Sequence, residues 1–88
     1  MKVETGDIIA YKEGGLFFLF ELAQVMTDYT DGMTRLLLEA VPGSVIAVGK
    51  GRAGRAEAVR DAPKYLPYDC CRKATFNEIR YYDKNIGV

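Results

Sequence analysis

The chain has 88 residues, with 12 basic and 12 acidic side chains, no histidine and two cysteines. This length allows one domain, residues 1–88, which buries roughly 60–65% of its unfolded surface. A hydrophobic share of 49% argues against a disordered chain. The absence of histidine removes the commonest general base and both usual catalytic triads, so we predict that the protein is not an enzyme.

The composition also bears on location and on bound groups. Residues 1–7 contain no apolar signal-peptide region, and the densest apolar run, residues 16–26, is too short to span a bilayer. We therefore expect a cytoplasmic protein with no membrane contact. The adjacent Cys70 and Cys71 are neither a disulfide framework nor a zinc half-site, so we expect no metal and no cofactor.

Four segments of the first half are β-prone and are separated by turn signals. They cover residues 8–12, 16–26, 33–41 and 44–48. Between the second and third segments, residues 27–32 are rich in side chains that form Asx-type turns, which predicts a tight loop. Pro42 and Gly43 suit the centre of a type II turn.

The segment 16–26 has two alternative interpretations. Up to Phe20 it is apolar at every position, which is typical of a strand buried on two sides. As a helix it would place Glu21, Gln24 and Asp28 on one polar stripe. The three phenylalanines and the flanking turns favour the strand. In the next segment, we assign Leu36, Leu38 and Ala40 to a core face.

The second half is less regular. Residues 49–55 combine three glycines with three basic side chains, residues 56–62 favour a helix that Pro63 ends, and residues 64–73 form an edge strand or a bent strand. Thr75 and Glu78 have the spacing of a capping box, which predicts a terminal helix over residues 76–84. The packing side of this helix is assigned to Phe76, Ile79 and Tyr82.

Together these elements predict a mainly β fold with a minor α part. We expect a small, partly open antiparallel barrel of four to five strands over about residues 5–74, followed by a short C-terminal helix over about residues 75–84. Gly6-Asp7, a short strand, a glycine turn and an aromatic-rich strand resemble the opening of SH3-like barrels. The Arg72-Lys-Ala-Thr-Phe-Asn-Glu78 tail is similar to the ending of small uncharacterised phage and prophage proteins. That resemblance implies a fold and an origin, but no activity.

A complete G-x-G-x-x-G motif occupies residues 49–54, directly after the predicted strand 44–48. In a dinucleotide-binding unit, such glycines allow a tight turn and close approach to a pyrophosphate at a helix N-terminus. The helix that follows is cut at Pro63, however, and the 34 residues after Gly54 are too few for a doubly wound half-domain. A glycine-rich loop between strands is the simpler interpretation.

The charges are unevenly distributed along the chain. Residues 1–49 carry three basic and seven acidic side chains, a net charge of −4, and residues 50–88 carry nine basic and five acidic ones, a net charge of +4. Either the two halves attract each other within the fold, or the second half provides a docking face.

We therefore predict a small binding module, with a protein as the expected partner. The candidate binding residues are four basic and three aromatic side chains: Lys50, Arg52, Arg55, Arg60, Tyr65, Tyr68 and Tyr81. The alternative is a nucleic-acid-binding barrel, in which the same cations follow a phosphate backbone and the tyrosines stack on bases. A pI near 6.2, against about 9 or more for most nucleic-acid-binding domains, favours a protein partner. A homodimer paired through an exposed strand edge is a third possibility.

Overall fold

The computed structural model describes residues 2–30, 32–49, 56–59 and 61–86. In this part of the chain there are seven β-strands, one 3-10 turn at Tyr68–Cys70 and one α-helix, α1 (Phe76–Asn85). The strands are β1 (Ile8–Glu13), β2 (Leu16–Thr30), β3 (Met33–Ala40), β4 (Ile46–Val48), β5 (Ala56–Ala58), β6 (Tyr65–Pro67) and β7 (Cys71–Lys73). The predicted mainly β fold with a short C-terminal helix is confirmed.

The long strand β2 organises the sheet. Its first half pairs with β1 on one edge and with β4 on the other, and its second half pairs with β3, all antiparallel. The prediction of a strand rather than a helix at residues 16–26 is therefore confirmed. Alternate residues of β2 belong to different clusters: Phe20 and Leu22 to one, Leu19 to the other. Both faces of the strand are buried here, which explains its continuous apolar run.

The main core lies on one face of this sheet. Phe20 and Leu22 of β2 pack with Leu38 of β3 and Leu66 of β6, and all four are essentially inaccessible to solvent. Leu38 and Leu66 are direct cross-strand partners, so β6 closes this core from the far side of β3. The predicted core positions Leu38 and Ala40 are confirmed.

The second core lies on the opposite face, under the helix. Ala10, Leu19 and Ile46 form one buried cluster with Tyr82 of α1, and the Tyr82 hydroxyl donates a 2.7 Å hydrogen bond to the Ser44 carbonyl. The helix begins with the predicted capping box. One prediction for its packing side is wrong, because Phe76 is 72% exposed. It occupies the first turn, where the chain has just left β7.

The strand path is β7–β1–β2–β3–β6, with β4 and β5 as a side branch from β2. Among the described residues no pairing joins its two ends, so the sheet is not closed into a barrel. The strand count also exceeds the predicted four to five. One predicted strand, residues 64–73, is split into β6 and β7 by the 3-10 turn after Pro67, and β5 lies where a helix was predicted. The predicted turn at Pro42-Gly43 is present, with Gly43 at φ +79°.

Three further predictions are wrong. The chain at residues 27–30 continues β2 instead of forming a loop, and Leu36 is 43% exposed because it lies beyond the end of the core. The helix-favouring segment after residue 55 begins with strand β5, which pairs antiparallel with β4. This pairing supplies backbone hydrogen bonds that outweigh the helix propensity of the alanines.

Candidate interaction surfaces

The basic glycine-rich loop connects two paired strands. Its cations Lys50, Arg52 and Arg55, and also Arg60, lie outside the described residues. The flanking strands β4 and β5 are antiparallel, with Val48 opposite Ala56. A dinucleotide-binding turn requires a helix directly after the glycines. The dinucleotide alternative for residues 49–54 is therefore wrong, because a strand follows instead.

The three predicted tyrosines lie in different surroundings. Tyr65 on β6 is 43% exposed, and Lys64 Nζ lies 5.4 Å from its ring centroid. Tyr68, in the 3-10 turn, is half-buried against the main core. Tyr81 on α1 is half-buried against the second core. Two of the three rings thus contribute to opposite cores, and the described residues do not form one stacking platform from them.

A shallow pocket of about 290 Å³ opens at the start of the basic loop. Lys12 Nζ lies 5.1 Å from the ring centroid of Phe17, and Leu16 beside it is 56% exposed. Gly14, Val48 and Gly49 complete the described lining. The pocket thus combines one cation with apolar surface next to the loop.

The most exposed apolar surface lies elsewhere, on the paired ends of β2 and β3. We call residues 24–37 the hairpin arm. Four of the seven large hydrophobic side chains that are exposed in the described chain belong to it: Val25 at 42%, Tyr29 at 76%, Met33 at 72% and Leu36 at 43%. The molecule measures 43 Å along its longest axis, against 24 and 21 Å along the others.

A β-bulge decides which side chains share a face of the arm. The pairing of β2 with β3 shifts between Leu22 and Gln24, and beyond the shift Val25 lies opposite Leu38. Because directly paired residues point to the same side, the face that begins at Leu38 in the core continues outward along the arm. We call this the inner face. Its members on the arm are Val25, Thr27, Tyr29, Thr34 and Leu36.

The two faces of the arm differ in charge. On the outer face, Gln24 donates to Glu39 at 2.7 Å and Arg35 donates to Asp28 at 3.0 Å. The described members of the inner face include no charged residue: apolar side chains alternate with two exposed threonines. An apolar strip next to a core is typical of a surface that a partner covers.

Sequence reasoning missed the arm because residues 27–32 resemble a loop. One signal was available. The alternation of β-prone Val25, Thr27 and Tyr29 continues the period of two past residue 26, and β3 is long enough to pair with that extension.

The charges of the two chain halves partly satisfy each other within the fold. Lys64 of the basic half pairs with Glu39 at 3.5 Å, and Lys73 pairs with Asp7 at 3.6 Å. These contacts fit the alternative in which the halves attract each other.

The cysteines are both free and half-buried, and both pack against the main core. Cys70 belongs to the 3-10 turn, so the inward and outward alternation of neighbouring strand residues does not apply to this pair. Burial, and the neighbouring Cys70, raise the pKa of the Cys71 thiol to about 12. Cys71 is therefore a packing residue and a poor nucleophile.

Within the described residues, no cluster of three or more cysteine, aspartate or glutamate side chains has metal-binding geometry. None of the described helices is long and apolar enough to cross a membrane.

No family model matches this chain, and neither a curated protein nor a solved structure shows significant similarity to it.

Proposed function

We propose that this protein is a small protein-binding module that docks its partner on the inner face of the hairpin arm. The observation that carries the proposal is the uncharged strip of Val25, Tyr29 and Leu36, which continues outward from the buried Leu38. Aromatic side chains and depletion of charge characterise the centre of protein interfaces. The arm replaces the basic loop as the main docking surface.

The test is capture from an extract of the source cells with the immobilised protein. The arm variant carries Tyr29→Ser and Leu36→Ser. The matched control is Leu16→Ser, which removes an apolar side chain of intermediate exposure, 56% against 76% and 43%, at the opposite end of β2. We expect the control to retain the proteins that the wild type enriches, and the arm variant to lose them. If the arm variant retains them all, the arm is not the docking surface.

We also propose that the sheet is a partly open, SH3-like barrel. Two features support this assignment. The first strand β1 pairs with the last strand β7, and the 3-10 turn before β7 brings the chain across from β6 to β1. A phage or mobile-element origin and a cytoplasmic location belong to the same proposal. The genomic neighbourhood of the coding sequence tests the origin: neighbours with no link to mobile elements would count against it.

The second candidate function is nucleic-acid binding through the basic loop. The observation in its favour is the pocket at Gly49, where Lys12 and Phe17 place a cation and an aromatic ring next to that loop. Single strands are bound by such pairs of charge and stacking surface. A variant with Lys50→Ala, Arg52→Ala and Arg55→Ala would lose retention of DNA and RNA at low salt. Unchanged retention would exclude this function.

A further inference from the structure

In the part of the chain that the structure describes, the outer half of β2 has an open edge. The N-terminal segment accompanies β2 on that side as far as Leu22 and Ala23: Gly6 N donates to Leu22 O at 2.9 Å, and Thr5 Oγ1 donates to Ala23 O at 3.1 Å. Beyond Ala23, the only described strand that pairs with β2 is β3. It lies on the other side, since Val41 N, just after β3, donates to Glu21 O, whereas Leu22 N donates to Asp7 O. Such an edge is a template for a strand of another chain.

The surface area of the chain is larger than its mass requires. It exposes 6111 Å², whereas a folded monomer of 9.8 kDa exposes about 5,200 Å². The excess is about 900 Å², close to the roughly 800 Å² that each partner contributes to a standard protein interface.

We propose that a second copy of this chain occupies the open edge, with the outer half of β2 paired antiparallel to the same segment of its partner. This inference rests on the proposed function and extends it: the second copy meets the arm at the edge of β2, so that the inner faces of the two arms lie side by side. The pairing is isologous, so one surface serves both copies, as in most homodimers. It joins the two arms into one four-stranded sheet.

The side chains favour a register centred on Thr27. Val25 then lies opposite the partner's Tyr29 on the inner face, and Met26 lies opposite the partner's Asp28 on the outer face. Cross-strand pairs of aromatic and β-branched side chains stabilise a sheet, whereas like charges placed directly opposite each other destabilise it. A register centred on Asp28 would oppose two carboxylates, so charge disfavours it.

The experiment measures the mass of the full-length protein in solution by light scattering, from micromolar to millimolar concentration. We expect twice the monomer mass of 9.8 kDa. Thr27→Lys places two ammonium groups face to face at the two-fold axis and should yield a monomer. Thr34→Lys is the matched control and should remain a dimer, because Thr34 is also an exposed threonine of the inner face but lies on β3.

A second measurement does not depend on charge. Thr27→Cys should cross-link two copies under mild oxidation, because directly opposed strand residues have Cα atoms about 4.5–5.5 Å apart, within disulfide range. Thr34→Cys and the wild type, whose own cysteines are half-buried, should not cross-link. Absence of the Thr27→Cys cross-link in a dimer would overturn the register.

The outcomes separate this inference from the proposed function. In one outcome, the wild type is a monomer at every concentration while the Tyr29→Ser, Leu36→Ser variant loses the captured proteins. That result overturns the homodimer and supports the proposed protein binding. A dimer that persists in Thr27→Lys shows that the copies meet elsewhere and also overturns the inference. A monomer without arm-dependent capture overturns both.

Discussion

Arg72 on β7 binds Glu78 on α1 through two parallel hydrogen bonds, Nη1 to Oε1 at 2.6 Å and Nη2 to Oε2 at 2.9 Å. The same Oε1 accepts a bond from Thr75 N at 2.8 Å, which completes the capping box. One carboxylate therefore fixes the start of the helix and ties the helix to the last strand. Bidentate, charge-assisted pairs of this kind are stronger than neutral hydrogen bonds.

The first prediction concerns this pair and pH. The Arg72 hydrogen bonds lower the pKa of Glu78 to about 2, from an ordinary value of 4.5. A depressed carboxyl pKa contributes stability that is fully present above pH 4.5 and is lost as the pH falls through about 2. Glu78→Gln should therefore reduce the free energy of unfolding by about 2 kcal/mol at neutral pH. The difference from the wild type should shrink as the pH falls from 4.5 towards 2.

The measurement is urea denaturation across that pH range. Asp83→Asn, which neutralises an exposed carboxylate of the same helix, is the control and should cost less than about 0.5 kcal/mol. A Glu78→Gln effect that does not change between pH 7 and pH 2 would contradict the assignment of the stability to the ionised pair.

The second prediction concerns the hydroxyl of Tyr82. Tyr82 is 4% exposed, and its hydroxyl donates to the Ser44 carbonyl across the second core. Tyr82→Phe removes this hydrogen bond and keeps the ring, so it should destabilise the fold by about 1 kcal/mol. Tyr29→Phe, on an exposed ring of the arm, should have no measurable effect. Thermal denaturation of the two variants provides the comparison, and equal melting temperatures would contradict the bond's contribution.

The third prediction concerns the two faces of β2. Leu19 and Phe20 are both fully buried, but in different clusters. Leu19→Ala should cost about 2–5 kcal/mol and Phe20→Ala about 3–5 kcal/mol, whereas Leu16→Ala on the exposed start of the strand should cost less than about 0.5 kcal/mol. Chemical denaturation measures all three. A small cost for Leu19→Ala would show that the helix does not cover that face.

This double burial was the part of the fold that the sequence predicted best. A continuous apolar run through Phe20 must be covered by other residues on both faces of the strand. The capping box at Thr75 predicted the helix that covers one of these faces. Both signals are local, and the packing agrees with them.

The arm and β5 were mispredicted because their structure depends on pairing with another strand and not on local signals. Asp28 belongs to a residue type common in turns, but in the structure its carboxylate accepts a hydrogen bond from Arg35 across the strand pair. The alanines of β5 favour a helix, but this segment pairs antiparallel with β4 and forms backbone hydrogen bonds with it. Strand formation depends on the neighbouring strand, so propensity within one segment could not show it. The exposed inner face followed from the β-bulge after Leu22, which has no clear sequence signal.

The fourth prediction concerns the turn at Gly43. Its φ of +79° lies in the left-handed region, and a Cβ there would have no heavy atom within 4 Å. Gly43→Ala should therefore cost about 1–2 kcal/mol through backbone strain alone, since no contact is created or lost. Gly43→Asn should cost less, because asparagine tolerates this region better. Denaturant titration of both variants checks the order, and equal costs would contradict it.

The last prediction is that the arm contributes to binding but little to stability. Tyr29 and Leu36 are exposed, and the side chains that hold β2 to β3 near the core, Leu22 and Leu38, are unaffected by changes beyond them. The double variant Tyr29→Ser, Leu36→Ser should therefore unfold within about 1 kcal/mol of the wild type, since surface substitutions usually change stability by less than about 0.5 kcal/mol each. The measurement is urea denaturation of both proteins at one low concentration, so that any self-association affects neither curve. A cost above about 2 kcal/mol would mean that these side chains belong to the core of the monomer. Loss of binding in that variant would then reflect unfolding rather than a lost docking surface.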